Sequence, residues 1–495
     1  MYRKDNGQIT IEEFRSPFRK LDKENRWVKI AEMIPWHKFE EKYAEQFCEN
    51  NGTPAISFRM AMATLIIKQR TRHSDDDVLQ DIVENAYMQY LIGLHEFTTT
   101  PPFSQSSISN FRKYITAEMI NEINEIIYGV KTSNDENNSG GTSGGGSGEV
   151  KESAAENEEK PGKETANKGL LLLDATCAPS YIAYPTDVKL LNEAREKLEG
   201  MVDVLFPPGY NGLKPRTYRK IARRDYLSFI KNRKPGKKAI RKAVGKQLRY
   251  VRRDLNHVDE MIGKFGAKYL SRRQKEWLET IKTLYSQQKQ MYDTNTHSAD
   301  NRIVSIGQPH VRPIVRGKVR ASVEFGAKVC VHMVDGYAFI DKTDWDAYNE
   351  EALLIPAIER YKERYGHYPE AVLADKIYRN RVNRTFCKNH NIRISGPRLG
   401  RPPKETDKST LYQERLDSSK RNAIEGKFGE GKTGYGLDRI MARLKNSSET
   451  VIAMSFFCLN ISRRLRVIFF RFGRFFKIPF NLIDFYAFFR FEVVG

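Results

Sequence analysis

Three acidic side chains stand where this sequence could gather oxygen ligands. Asp174 ends the apolar run Leu170-Leu171-Leu172-Leu173, Asp375 ends Ala371-Val372-Leu373-Ala374, and Glu425 lies in Arg421-Asn422-Ala423-Ile424-Glu425. Short apolar runs of this kind predict β-strands, whose carboxyl ends present side chains at the edge of a sheet, while a helix places the glutamate. Carboxylates suit hard cations better than thiols or imidazoles do. Two Mg²⁺ ions about 4 Å apart could clamp the attacking and leaving oxygens of an in-line phosphodiester displacement. The i, i+4 spacing of Arg421 and Glu425 puts both on one helix face, where the cation can orient the carboxylate or hold a phosphate.

A second constellation is made of charge alone. Between Lys214 and Arg253 there are 17 Lys or Arg and one acid, Asp225, so +16 of the chain's net +21 lies in 40 residues. A run of this density predicts attraction to polyanions, nucleic acid first, with a strong salt dependence. Lys237, Lys238, Arg241 and Lys242 are its candidate phosphate contacts. Tyr218, Tyr226, Phe229 and Tyr250 are interleaved with the cations and read as helix packing, with base stacking as the alternative.

The elements that must carry these residues follow from composition and periodicity. With 495 residues, 40% of them hydrophobic, the chain has material for two or three domains. Residues 1–130 read as a helical head, and 131–168, almost without large apolar residues, as a flexible linker that leaves the head's orientation unfixed. In the head, Ser74-Asp75-Asp76-Asp77 predicts a capped helix, and Ser104-Gln105-Ser106-Ser107 opens another that carries Arg112 and Lys113. The pair reads as a helix-turn-helix using Arg112 and Lys113 on DNA, or equally as a small helical bundle with ordinary surface cations.

Residues 187–300 read as helical, and strands follow. Asp335-Gly336 suits a tight hairpin between Ala327–Val334 and Tyr337–Ile340. Asp341, Asp344 and Asp346 read as caps and solvated ends. A helix is expected over about 347–365, then the strand delivering Asp375, a helix near 380–388, a short strand at 391–395, the basic loop Arg398–Lys404, and a helix from about Thr410 to Glu425. Both aspartates are expected at strand ends. The five cysteines form no CxxC pair and fit reduced, apolar fillers in a cytosol; no apolar run is long enough to span a bilayer, and no hydrophobic signal core opens the chain.

These residues, in this order, resemble a known family. Leu172-Leu173-Asp174-Ala175-Thr176, Tyr184-Pro185-Thr186-Asp187, Arg312-Pro313-Ile314-Val315-Arg316-Gly317-Lys318, Val323-Glu324-Phe325-Gly326-Ala327-Lys328 and Ala374-Asp375-Lys376 with Tyr378 are similar to the bacterial insertion-sequence transposases of the DDE type. Arg421, Glu425 and Lys432 keep the register of that family's glutamate signature, whereas Ser418 stands where its tyrosine is expected. The likeness covers about 169–465, and the head resembles the N-terminal domain often found in these transposases.

The resemblance implies an α/β fold: a ribonuclease H-like mixed sheet flanked by helices over 169–465, with a basic helical insertion at 187–300 and a separate helical N-terminal domain. It implies Asp174, Asp375 and Glu425 as catalytic Mg²⁺ ligands, with Mn²⁺ as a substitute, and Arg421 and Lys432 as DNA contacts. The partners would be double-stranded DNA, as element ends and target, and further copies of the chain in a synaptic complex at the bacterial nucleoid. A nuclease of the same fold that cuts without joining, and a non-catalytic DNA-binding descendant, are the competing readings. Residues 466–495, with the aromatic run Phe485–Phe491, have no assigned role.

Overall fold

The computed structural model describes residues 21–48, 52, 54–129, 166–207, 209–315, 323–396 and 408–475, with side chains up to 469. The linker from 131 to 165, Arg316–Lys318, the loop Arg398–Lys404 and the tail beyond 476 lie outside the described residues. Among the described residues the head comprises α1 (Arg26–Met33), α2 (His37–Ala44), α3 (Phe58–Thr71), α4 (Asp75–Glu84), α5 (Ala86–Leu91), α6 (Gln105–Tyr114) and α7 (Ala117–Tyr128). Ser74 opens α4 through a reciprocal capping box with Asp77, which satisfies amides that a helix start leaves unpaired. α5 and a loop separate α4 from α6, so of the two readings of this pair the arrangement is that of the small helical bundle.

After the head comes β1 (Leu170–Pro179), and then a helical insert of α8 (Asp187–Leu205), α9 (Arg219–Ile230), α10 (Lys237–Phe265) and α11 (Arg272–Thr294). The insert has its own core, with Leu191, Leu198 and Met201 of α8 packed among Leu248, Val251 and Ile281 of α10 and α11. Thr186 caps α8, and a Ser271–Gln274 capping box starts α11.

The sheet is completed by β2 (Arg312–Val315), β3 (Val323–Val334), β4 (Tyr337–Asp344), β5 (Ala371–Ala374) and β6 (Arg393–Ile394). Asp335 and Gly336 take φ of 51° and 84°, the left-handed pair that a two-residue hairpin needs, and so join β3 to β4. β1 is central: β3 runs antiparallel along one edge and β5 parallel along the other, with β6 parallel beyond β5. β2 and β4 share the outer edge of β3 end to end. This is the mixed, ribonuclease H-like sheet that the sequence predicts. Asp174 departs from expectation in one respect. It lies inside β1, because the long partner β3 keeps that strand extended past the last leucine.

Helices cover both faces. α12 (Leu354–Tyr365) and α13 (Arg381–Asn389) pack over Leu171, Leu173 and Val372. α14 (Lys408–Gly434) and α15 (Lys445–Phe475) pack over Leu172, Val331 and Leu373. α14 stays helical through Gly426, Gly429 and Gly431 despite the cost of glycine in a helix. A Cβ at Gly431 would stand 2.5 Å from Leu437 and 3.2 Å from Leu459, so its smallness lets α15 approach.

The helical head packs against the sheet layer. Its core is continuous with Ala453, Met454, Phe457, Cys458, Ile461 and Leu465 of α15 and with Phe339 of β4. Ile452, Phe456 and Leu459 form a different stripe of α15 that faces the sheet. A helix apolar on so many sides must be buried on both, and here it is shared by two layers. Buried amides fix the junction: Asn460 accepts from the Ala338 amide at 2.8 Å and donates to the Ala338 carbonyl at 2.7 Å and to Asn124 of α7 at 2.9 Å. Gln69 of α3 donates to the Tyr435 carbonyl at 2.6 Å, and Arg72 to that of Thr433 at 2.7 Å, so the head also grips the end of α14. The expectation of an unfixed head is therefore overturned by packing, whatever the linker's composition. Among the described residues no helix is long and apolar enough to cross a membrane.

Candidate active site

Strand alternation decides where the aspartates point. Leu172 packs with Ile424 and Phe428 of α14, and Asp174, two residues on, takes the same face. On β5, Ala371 and Leu373 pack in that layer too, so Asp375 emerges on the same side. The parallel ladder ends at Leu173 opposite Ala374, which leaves Asp174 and Asp375 just past its last rung. Above them runs α14, with Ile424 turned into the core and Glu425 beside it.

Local bonds hold each acid. Asp174 accepts from the Ala175 amide at 2.8 Å, and Asp375 accepts from that of Lys376 at 2.7 Å as it caps the 3₁₀ turn Lys376–Tyr378. Burial pushes the Asp174 carboxyl up to about 6; Glu350 and Asp375 push the same way, against the Ala175 amide and the Arg421 guanidinium. Arg421 reaches both other acids, 3.5 Å from Asp375 and 3.7 Å from Glu425. Among the described residues no three His, Cys, Asp or Glu side chains stand close enough to hold an ion together. The donor chemistry nevertheless suits a hard cation, since Asp174, Asp375 and Glu425 all offer carboxylate oxygens.

Sequence reasoning overlooked Glu350. It starts the 3₁₀ turn Glu350–Leu353, pairs with Lys328 of β3 at 2.7 Å and accepts from the Tyr378 hydroxyl at 3.3 Å. Asn349-Glu350-Glu351 reads as a cap with first-turn acids, which hides the nearness of Glu350 to Asp174. Asp341 corrects another reading: far from being solvated, it is buried against His332 at 2.8 Å and Arg360.

Two family models match the chain: "Transposase DDE domain" over residues 372–462, and "Transposase domain (DUF772)" over 15–114. Together these matches support an insertion-sequence transposase of the DDE type. The DDE match takes in Asp375, Arg421, Glu425 and Lys432 and begins after Asp174. The "Uncharacterized protein ORF8 in nfe locus" of Rhizobium meliloti is 30% identical over 96 residues, 19% of this chain and 46% of that protein. The chain thus spans about half the length of this curated relative. No solved structure matches.

The transposase's predicted DNA contacts are differently placed. Lys432 is half-buried two turns beyond Glu425, which the unbroken α14 makes possible, and Ser418 is exposed on the same helix. Lys237, Lys238, Arg241 and Lys242 are exposed on the first turns of α10. Arg241 lies over the Tyr292 ring at 4.3 Å and donates to Asn295. Of the 17 cations between 214 and 253, Lys214, Arg219, Lys246 and Arg253 form ion pairs with acids, and Arg224 acts on Asp225 through space. In the head, Lys113 is exposed, but Arg112 is tied to Asp75 at 2.7 Å and joins α6 to α4. Its charge serves the bundle, which favours the bundle reading for that residue.

Proposed function

We propose that this chain cleaves DNA at the ends of a mobile element and joins the freed 3′-hydroxyls to target DNA. The observation that carries the reading is the register that sets Asp174 beside Asp375 beneath the helix bearing Glu425. These three carboxylates would hold Mg²⁺ or Mn²⁺, which when bound supplies charge stabilisation to the attacking and leaving oxygens. The protein's own part is positioning. Lys376 and Ala175 donate backbone amides that aim the aspartates, and Tyr378 and Lys328 fix Glu350 behind Asp174. Arg421 and Lys432 on α14 would take phosphates, and the exposed cations of α9 and α10 would track the duplex backbone by releasing its counterions. Cutting two ends together calls for at least two copies of the chain around DNA.

The test is strand transfer with the full chain, Mn²⁺ and a pre-cleaved duplex carrying the inverted repeats that flank its coding sequence. Joined product that disappears in Asp375→Asn supports the reading. Cleavage without joining points to a nuclease, and silence in both assays to a DNA-binding descendant.

A further inference from the structure

Arg421 stands where a cation is wanted. Its guanidinium bridges Asp375 and Glu425 at 3.5 and 3.7 Å, and it is the nearby positive charge acting on Asp174. Both contacts are longer than the roughly 2.7–2.9 Å of a tight charge-assisted hydrogen bond. The Asp375 and Glu425 side chains are 59% and 57% exposed, so ions reach them from solvent, whereas Arg421 is 25% exposed and lies along the helix face. The bridge thus neutralises the acids without being locked in place.

We infer that Arg421 is an internal counter-ion that a divalent metal must displace, and that a DNA phosphate draws it away, so that metal loading is coupled to DNA binding. The inference rests on the functional reading above. A guanidinium and a divalent cation cannot share the space between two carboxylates, because their mutual repulsion adds to the cost of the metal's entry. A phosphate offers the fork an equivalent bidentate partner on the solvent side. Without DNA the acids then remain self-neutralised, which limits metal-dependent nicking away from a bound duplex.

Mn²⁺ binding to the full-length protein, read as free Mn²⁺ by electron paramagnetic resonance, tests this. Arg421→Gln is expected to bind Mn²⁺ about tenfold more tightly than the wild type without DNA, an effect that weakens at high salt. Arg421→Met, which keeps the aliphatic bulk, should do the same and covers the case in which the glutamine variant misfolds. A duplex of arbitrary sequence should tighten Mn²⁺ binding in the wild type by more than in either variant. Equal or weaker Mn²⁺ affinity in the variants, or an equal gain from DNA in all three proteins, overturns the exchange. Asp174→Asn and Asp375→Asn separate the two layers of argument. If they leave wild-type Mn²⁺ binding untouched, the metal reading itself fails; if they weaken it while the Arg421 variants gain nothing, only the counter-ion role fails.

Discussion

The carboxylate face of the sheet and the basic end of the insert treat charge in opposite ways. At the sheet, Asp174 is partly buried, its acid neighbours are close, and Arg421 is held among them. At the insert, Lys237, Lys238 and Lys242 stand in solvent at a helix N-terminus, where the helix dipole disfavours cations and Gly236 supplies no side-chain cap. Neither arrangement is what stability alone would select. The first concentrates like charge where it can be aimed, and the second leaves charge free to meet a large polyanion.

The comparison can be broken at several points. Asp375→Asn or Glu425→Gln should lower Mn²⁺-dependent DNA cleavage by about a thousandfold or more, with duplex binding within a few-fold in a gel-shift assay. Loss of both would mean that the acids hold the fold instead. Between these regions lies the shared core, where Phe457→Ala should cost about 3–5 kcal/mol by denaturant unfolding, whereas Lys238→Ala should stay within about 0.5 kcal/mol. Neutralising Lys237, Lys238, Arg241 and Lys242 together should reduce the salt-dependence slope of duplex affinity by about 3 to 4 if each meets a phosphate. An unchanged slope would turn the insert away from DNA.

The smallest effect concerns Asp174. Its folded carboxyl, raised to about 6 from the ordinary 3.8, keeps its proton more tightly than the unfolded chain does. Metal-free stability should therefore fall as pH rises from about 4 to 6 and stay lower above. Asp174→Asn should recover about 2 kcal/mol at pH 8 and almost nothing at pH 4, as read by thermal melts. No pH-dependent gain would show that solvent, not protein, surrounds this carboxylate.

What the sequence disclosed was mostly local. The Asp335-Gly336 turn and the Ser74 cap follow from backbone angles and hydrogen bonds within a few residues, and both are present. The i, i+4 meeting of Arg421 with Glu425 is local as well, but its reach to Asp375 depends on α14 lying across β5. Asp174 was misplaced at a strand end because the partner that prolongs β1 lies about 150 residues later in the chain. Asp341 was misread for a similar reason: only the β3–β4 pairing and α12 bring His332 and Arg360 around it. The linker's composition suggested a free head, since nothing in residues 1–130 announces that their core is finished by a helix beginning at Lys445.

That helix has a consequence for synthesis. The ribosome releases the head early, but Phe457, Ile461 and Leu465, which close its interior, are made more than 300 residues later. Until then, greasy surface on the newborn N-terminal part stays uncovered and calls for chaperone shelter. A fragment ending before α15 would accordingly leave the apolar side of the head that α15 covers open to solvent.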